Sequence, residues 1–430
     1  MVVTGWFVLL VALGVVPILV APSPWVLLAW IVLCVVLLVV DVLLAASPKK
    51  VRLTRDLPGS IRLGESATST LSVFNENRRR IRGTIRDAWQ PSAGASPSRF
   101  RAGIDPERRV VLTTGLTPFR RGERRASAVT VRTLGPLRLA GRQATHPLAG
   151  AVTVLPRFSS RKHLPSRLAR LRELDGRTSV MVRGQGTEFD SLREYVRGDD
   201  VRSIDWRATA RRSDLMVRTW RPERDRRVVM VVDSGRTSAA RVGDEPRLDT
   251  AFEAALLLGA LATRAGDRVD LAIADRRVRA RVQGASGADL LSQMVSAMAP
   301  VDPELVETDW AAVPALVRSI TTQRSLVVLC TTLDTPGAAR SLLAAVPQLA
   351  SRHLVVVASV TDPALTALTT ARDTRDDVYR AAAAERALLD VARVSAALRQ
   401  LGADVVTGTP ADLPPALADR YLALKAAGRL

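Results

Sequence analysis

Histidine and cysteine are scarce in this chain, with three and two among 430 residues. That excludes a disulfide framework and leaves too few ligands for a His/Cys zinc centre. Lysine is scarce as well. Only Lys49, Lys50, Lys162 and Lys425 contribute to the 62 basic residues, and none follows a glycine, so the phosphate-cradling G-x-x-x-x-G-K-[ST] loop is absent. The chain is therefore not itself a P-loop NTPase. There is no G-x-S-x-G elbow, His146, His163 and His353 have no neighbouring nucleophile, and Cys330 sits in an apolar run that reads as core. These absences point away from an enzyme and toward a binding protein. The net charge of +20 suits an acidic partner, an anionic lipid surface or nucleic acid, and arginine-rich usage also follows from GC-rich coding.

Charge itself is missing from the side chains of the first forty residues, and Asp41 is the first charged one. Ala21-Pro22-Ser23-Pro24 breaks this stretch into residues 5–21 and 25–46, each near the ~20 residues that cross hydrocarbon. The pattern predicts a transmembrane helical hairpin over residues 1–48. Lys49, Lys50, Arg52 and Arg55 follow directly while the proline turn carries no charge, which places both termini in the cytoplasm and the protein in the cell membrane. Asp41, close to the end of the second span, is expected to reach the headgroup layer.

Residues 49–156 change to short alternating segments separated by Gly, Pro and Asn, including Ser69–Phe74, Arg109–Thr113, Ala128–Arg132 and Leu137–Leu139. Alternation with period two predicts a β-sandwich-like domain with one packed and one wet face, the wet face carrying Arg78, Arg79, Arg80, Arg120, Arg121, Arg124 and Arg125. Residues 157–226 read as a basic linker and a charge-rich segment. Between Arg183 and Arg227 twelve arginines face nine acids, a balance that suits an ion-paired structural segment and argues against nucleic acid. Gly184-Gln-Gly186 lacks the third glycine of a dinucleotide fingerprint.

From residue 227 to 430 apolar strands alternate with helical patterns: strands at 227–233, 269–273, 278–282, 326–330, 354–360 and 405–406, with helices between them and a last helix at the end. This predicts a doubly wound α/β domain whose ligands bind at the carboxyl edge of the strands.

The run F-D-S-L-R-E-Y-V-R-G-D-D-V-R-S-I-D-W-R-A-T-A-R beginning at Phe189, followed by Pro222-Glu223 and an apolar strand ending in Asp233, resembles the signature of the domain of unknown function 58 family. Its residues in this chain include Arg193, Glu194, Tyr195, Gly198, Asp199, Asp205, Trp206 and Glu223. The resemblance implies a membrane-anchored protein with a β-rich domain and a C-terminal von Willebrand factor A-like domain, in a family often associated with MoxR-type AAA+ ATPases. A-type domains carry a metal-ion-dependent adhesion site: D-x-S-x-S after the first strand, a threonine farther on, and an acid after the fourth strand. The matching positions are Asp233, Gly235, Thr237, Thr308 and Asp334. Four of the five bear an oxygen suited to Mg²⁺, and Gly235 departs from the pattern. The same residue types also cap turns and start helices, so Asp233 and Asp334-Thr335-Pro336 have a purely structural alternative. The expected function is a cytoplasm-facing adaptor that engages the ATPase or its client through this site. The alternative is a basic membrane-surface scaffold that binds anionic lipid or envelope-polymer precursors without metal.

Overall fold

The computed structural model describes residues 1–181, 188–196, 201–212, 214–221 and 226–430. They form two compact units, Met1–Leu155 and Pro156–Leu430.

The first unit opens with a two-residue strand, β1 (Val2–Val3), and the apolar helices α1 (Gly5–Ala12), α2 (Val15–Val20) and α3 (Pro24–Leu44). Pro24 stands at the first position of α3, and the Ser23 hydroxyl accepts a hydrogen bond from Trp25 N at 3.3 Å. Among the described residues α3 is the one helix long and apolar enough to cross a membrane. The first apolar stretch is divided between α1 and α2, and at Gly14 a Cβ would overlap the Trp30 ring of α3. The second stretch ends at Leu44, two residues earlier than the spacing predicts, because Ala45 turns to extended backbone.

Ten strands of this unit form two sheets. One contains β2 (Val51–Asp56), β4 (Ala67–Asn75), β8 (Arg109–Leu116) and β6 (Ala95–Ser96) in that order. The other runs β1, β10 (Ala140–Leu155), β9 (Gly122–Leu134), β5 (Ile81–Trp89) and β7 (Arg99–Ile104), with β3 (Ser60–Arg62) parallel to the end of β10. Alternate residues from both, among them Leu71, Val73, Ile81, Ile85, Val129 and Val131, share one core, so the sheets pack face to face. The same alternation carries Arg55 and Asp87 inward, where they form an ion pair with side chains 2% and 0% exposed. Two expectations change. Leu137–Leu139 is not a strand but the turn between β9 and β10, with Arg138 at φ 58°. Arg121 is buried and does not belong to a wet face.

In the second unit α4 (Leu164–Met181) precedes a two-stranded ladder of β11 (Glu188–Glu194) and β12 (Met216–Arg221), with α5 (Trp206–Arg212) between them. A six-stranded sheet follows in the order β17 (Val278–Val282), β16 (Arg268–Ala274), β13 (Arg227–Asp233), β18 (Leu326–Cys330), β19 (Leu354–Val360) and β20 (Ala403–Gly408). All pairings are parallel except that of the edge strand β17. Between β13 and β16 lie α6 (Arg236–Ala239), the short pair β14 (Arg241–Val242) and β15 (Glu245–Pro246), and α7 (Arg247–Arg264). The remaining helices are α8 (Gly287–Met298), α9 (Val313–Ile320), α10 (Arg340–Ala350), α11 (Pro363–Leu368), α12 (Arg375–Gln400) and α13 (Leu413–Ala426).

Val229, Val231, Val327 and Leu329 pack against α9, α10 and α12, while Met230, one residue out of phase, faces α7. The sheet is therefore covered on both faces, which is why its central strands are apolar throughout. From β13 the chain crosses by α7 to β16 on one side; from β18 it crosses by α10 to β19 on the other. The carboxyl ends of β13 and β18 thus flank a topological switch point, where a doubly wound sheet opens a crevice.

Candidate functional site at the switch point

Asp233 ends β13 and is 2% exposed. Its Oδ1 accepts from Gly235 N at 2.8 Å and from the Thr308 hydroxyl. Its Oδ2 accepts from the hydroxyls of Thr331 at 2.6 Å and Thr237 at 3.2 Å. Four donors from three separate segments thus converge on one carboxylate. Local structure explains how they arrive. Gly235 is the N-cap of α6, which brings Thr237 back over the strand end, and Arg236 N donates to Val306 O at 2.8 Å, which ties the 306–308 loop over the same point. Thr331 follows β18 directly and reaches across from the neighbouring strand.

The structure brings Asp233, Thr237 and Thr308 into direct contact. Asp334 lines the same small cavity but bonds to none of them; its carboxylate lies 3.5 Å from Arg247 Nη1 and its side chain is 42% exposed. The cavity measures about 20 Å³, room for roughly one water-sized occupant. Arg236 and Glu307 pair at 2.6 Å on its rim. Ser234, one residue out of register, turns away and donates to buried Asp275 at 3.1 Å.

Among the described residues no group of three or more His, Cys, Asp and Glu side chains forms a metal-holding cluster. The switch-point set consists of hydroxyls with two carboxylates. These all-oxygen donors fit a small hard cation that keeps part of its water shell, and they offer nothing to a soft metal. Thr331 is not among the residues that the resemblance to A-type domains implies. Its signal was the Thr331-Thr332 pair immediately after an apolar strand, at the edge where ligands collect.

At Gly235, where the adhesion-site pattern has a hydroxyl, an added Cβ would overlap the Thr308 hydroxyl and stand 2.8 Å from Val306 O. The Thr308 hydroxyl thus takes the space that a side chain at position 235 would need.

The charge-rich segment forms a separate arrangement. The Asp205 carboxylate accepts from Arg207 N at 3.0 Å and Ala208 N at 3.1 Å, capping α5, and from Arg218 Nε on β12 at 2.8 Å. The Ala208 N–H first, then the Arg218 guanidinium, hold it below the usual carboxylate range. Tyr195 N donates to Leu215 O at 2.8 Å, Arg193 Nη1 to Glu194 O at 3.1 Å, and Trp206 is 66% exposed. None of these residues lines the Asp233 cavity. Gly198, Asp199 and Glu223 lie outside the described residues, as does Gly184-Gln-Gly186.

The family model described as "Protein of unknown function DUF58" matches residues 191–399. Uncharacterized protein Rv1480 of Mycobacterium tuberculosis H37Rv is 30% identical over 249 residues, which cover 53% of this chain and 76% of that protein. Uncharacterized protein Mb1516 of Mycobacterium bovis matches to the same extent. Among solved structures, the CARDB domain of PF1109 from Pyrococcus furiosus covers 24% of this chain and 94% of its own at 17% identity and TM-score 0.18. A GH20 exo β-N-acetylglucosaminidase from Vibrio harveyi covers 83% and 75% at 9% identity and TM-score 0.21. At such scores neither likeness bears on fold or activity.

Proposed function

We propose a function from the premise that the chain belongs to the DUF58 family: it is a membrane-anchored adaptor of the cell membrane that binds a partner through a von Willebrand A-like domain. The observation that carries this reading is the convergence of Gly235 N and the hydroxyls of Thr237, Thr308 and Thr331 on the Asp233 carboxylate at the switch point. Asp233, Thr237, Thr308 and Asp334 would hold Mg²⁺ there, and the metal would supply an open position for an acidic side chain of the partner. Arg236, paired to Glu307 on the rim, would exchange that partner for the incoming carboxylate.

The anchoring half of the reading takes the apolar stretch as a two-span hairpin with both ends in the cytoplasm. It is supported by where the ends of the stretch attach. Thr4 N donates to Leu139 O at 3.0 Å, and the Asp41 carboxylate accepts from Leu139 N at 2.8 Å, so the chain leaves and returns at the same turn. The partner inferred from the family resemblance is a MoxR-type AAA+ ATPase or its client, and the role is binding, not catalysis.

The test is co-purification of a MoxR-type ATPase with the full chain in mild detergent, together with calorimetric titration of Mg²⁺. The ATPase should stay bound in Mg²⁺ and leave with EDTA or with Asp233→Ala, and the titration should be saturable only with Asp233 present. Capture and heats indifferent to metal and to Asp233 would sink the reading.

A further inference from the structure

The foot of α3 is enclosed by the first β-rich unit in a way that fixes which basic side chains stand beside the helix end. Arg79 Nη1 donates to Leu43 O at 2.9 Å. The Asp41 carboxylate holds Leu137 N, Leu139 N and Ala140 N at 2.7, 2.8 and 2.8 Å, which fixes the turn that carries Arg138. Arg79 and the Arg138 turn thus both stand at the C-terminal end of α3. Asn77 supports the Arg79 side, since its Nδ2 donates to the carbonyls of Ser47 and Lys50 at 3.1 and 3.0 Å and so joins the 47–50 turn to the 75–79 turn. Lys49, Lys50 and Arg78 project from these two turns and are exposed.

The charge balance around the helix foot is one-sided. Among the described residues the side chains of Lys49, Lys50, Arg78 and Arg138 have no ion-pair partner. Of the acids close by, Glu76 pairs with Arg52 at 2.8 Å, Asp105 with Arg80 at 3.2 Å, and Asp41 holds three N–H groups, which leaves exposed Glu107, whose N–H donates to Asn75 O at 3.0 Å, as the one acid against these basic groups among the described residues. Leu137, 49% exposed, sits at the tip of the Arg138 turn, next to the exposed apolar surface of α3. An apolar tip beside unpaired guanidinium and ammonium groups, at the depth where an apolar helix ends, has the chemistry of a membrane interface facing phosphate.

We propose that this collar is a binding site for anionic phospholipid headgroups, with Arg79, bonded to Leu43 O, and Arg138, carried on the fixed turn, as its main groups and Lys49, Lys50 and Arg78 as supplementary charges. It rests on the membrane-spanning half of the reading above and is independent of the Asp233 site. A basic group held at an anionic leaflet contributes roughly fivefold in affinity.

The experiment reconstitutes the full chain in nanodiscs of phosphatidylcholine mixed with phosphatidylglycerol and counts the lipids that remain bound by native mass spectrometry. The wild-type chain should retain phosphatidylglycerol well above its share of the bilayer. Arg79→Gln with Arg138→Gln should lower that enrichment several-fold, whereas Arg318→Gln with Arg399→Gln, the same charge change on exposed helix positions of the other unit, should leave it intact. Arg79→Lys with Arg138→Lys should keep most of it, which separates lost charge from lost folding. Equal retention of the two lipids, equal loss in the control pair, or loss in the lysine pair overturns the headgroup site. Incorporation into pure phosphatidylcholine liposomes is followed in parallel. A chain that enters neutral liposomes but shows no phosphatidylglycerol preference overturns only the headgroup site, and one that is stripped from them by carbonate overturns the membrane reading itself.

Discussion

The carboxylate of Asp41 occupies the space that a side chain at Gly135 would need: a Cβ there would overlap both the carbonyl and the carboxylate oxygens of Asp41. Gly135 is therefore required by close approach of the helix end, and φ at this position plays no part. The acid that ends the long apolar helix is neither exposed nor free. It is wholly buried and serves as the cap of the turn that starts β10.

Asp41→Ala leaves three N–H groups without an acceptor, and unmade hydrogen bonds of buried groups cost about 1 to 3 kcal/mol each. A loss of roughly 3 kcal/mol or more is expected for the first unit, read as a lower unfolding midpoint of the full chain in detergent. Gly135→Ala should produce a similar loss by overlap alone. If both variants melt with the wild type, the cap does not hold the helix to the sheet.

At the switch point, putting back the hydroxyl that the adhesion-site pattern expects should do harm. Gly235→Ser places its Cβ against the Thr308 hydroxyl and Val306 O, so either the 306–308 loop moves or Thr308 leaves Asp233. The expected outcome is a lower melting temperature and weaker Mg²⁺ binding than wild type in calorimetry, and tighter binding in Gly235→Ser would show that the loop yields freely.

Much of this architecture was legible because periodicity reports burial directly. The unbroken apolar run of β13 predicted a strand covered on both faces, and the alternation of β4 and β8 predicted strands with one wet side. What stayed hidden were contacts between distant residues. Nothing local to Leu137–Leu139 separates a short strand from a turn held by an acid nearly a hundred residues earlier, and nothing local to Arg121 marks it as buried. Asp233, Thr237 and Thr308 fall on positions that the resemblance to A-type domains implies, yet Thr331 enters only through the pairing of β13 with β18. Asp334 matched the spacing but faces Arg247, because a position along a loop does not fix where its side chain points.

In the charge-rich segment, Asp205 should lose its role in acid. Its pKa in the folded chain is depressed, so its contribution is complete above the ordinary carboxylate value of about 3.9 and fades as pH falls through the depressed value. Protonation weakens the acceptor for Ala208 N and removes the Asp205 charge that pairs with Arg218. Protection of the Ala208 amide, relative to its intrinsic exchange rate, should therefore fall only as pH drops below the ordinary carboxylate range, and in Asp205→Ala it should be lost at neutral pH. Asp205→Asn, which keeps a capping oxygen, should fall between the two. Exchange at Ala208 that is the same in Asp205→Ala as in wild type would mean that the cap does not order α5.

The ion pair inside the sandwich allows a sharper experiment, because each partner has further bonds. Arg55 Nη1 donates to Leu148 O at 3.0 Å, Trp89 Nε1 donates to Asp87 Oδ2 at 2.8 Å, and the guanidinium lies 5.3 Å from the Trp89 ring. Burial pushes the Asp87 carboxyl up and the Arg55 guanidinium down, and each is partly offset by the other's charge. Because the folded-state pKa of Asp87 is raised, this acid works against stability as pH rises from the ordinary carboxylate value to the raised one, so it is not a source of acid lability. Removing one partner strands the other, so Asp87→Leu or Arg55→Met alone should cost about 3 to 5 kcal/mol. Replacing both should cost much less than the sum of the single changes, and a double-mutant cycle from denaturant unfolding measures the difference. Additive losses would mean that the two charges are solvated separately and that the pair does not hold the sheets together.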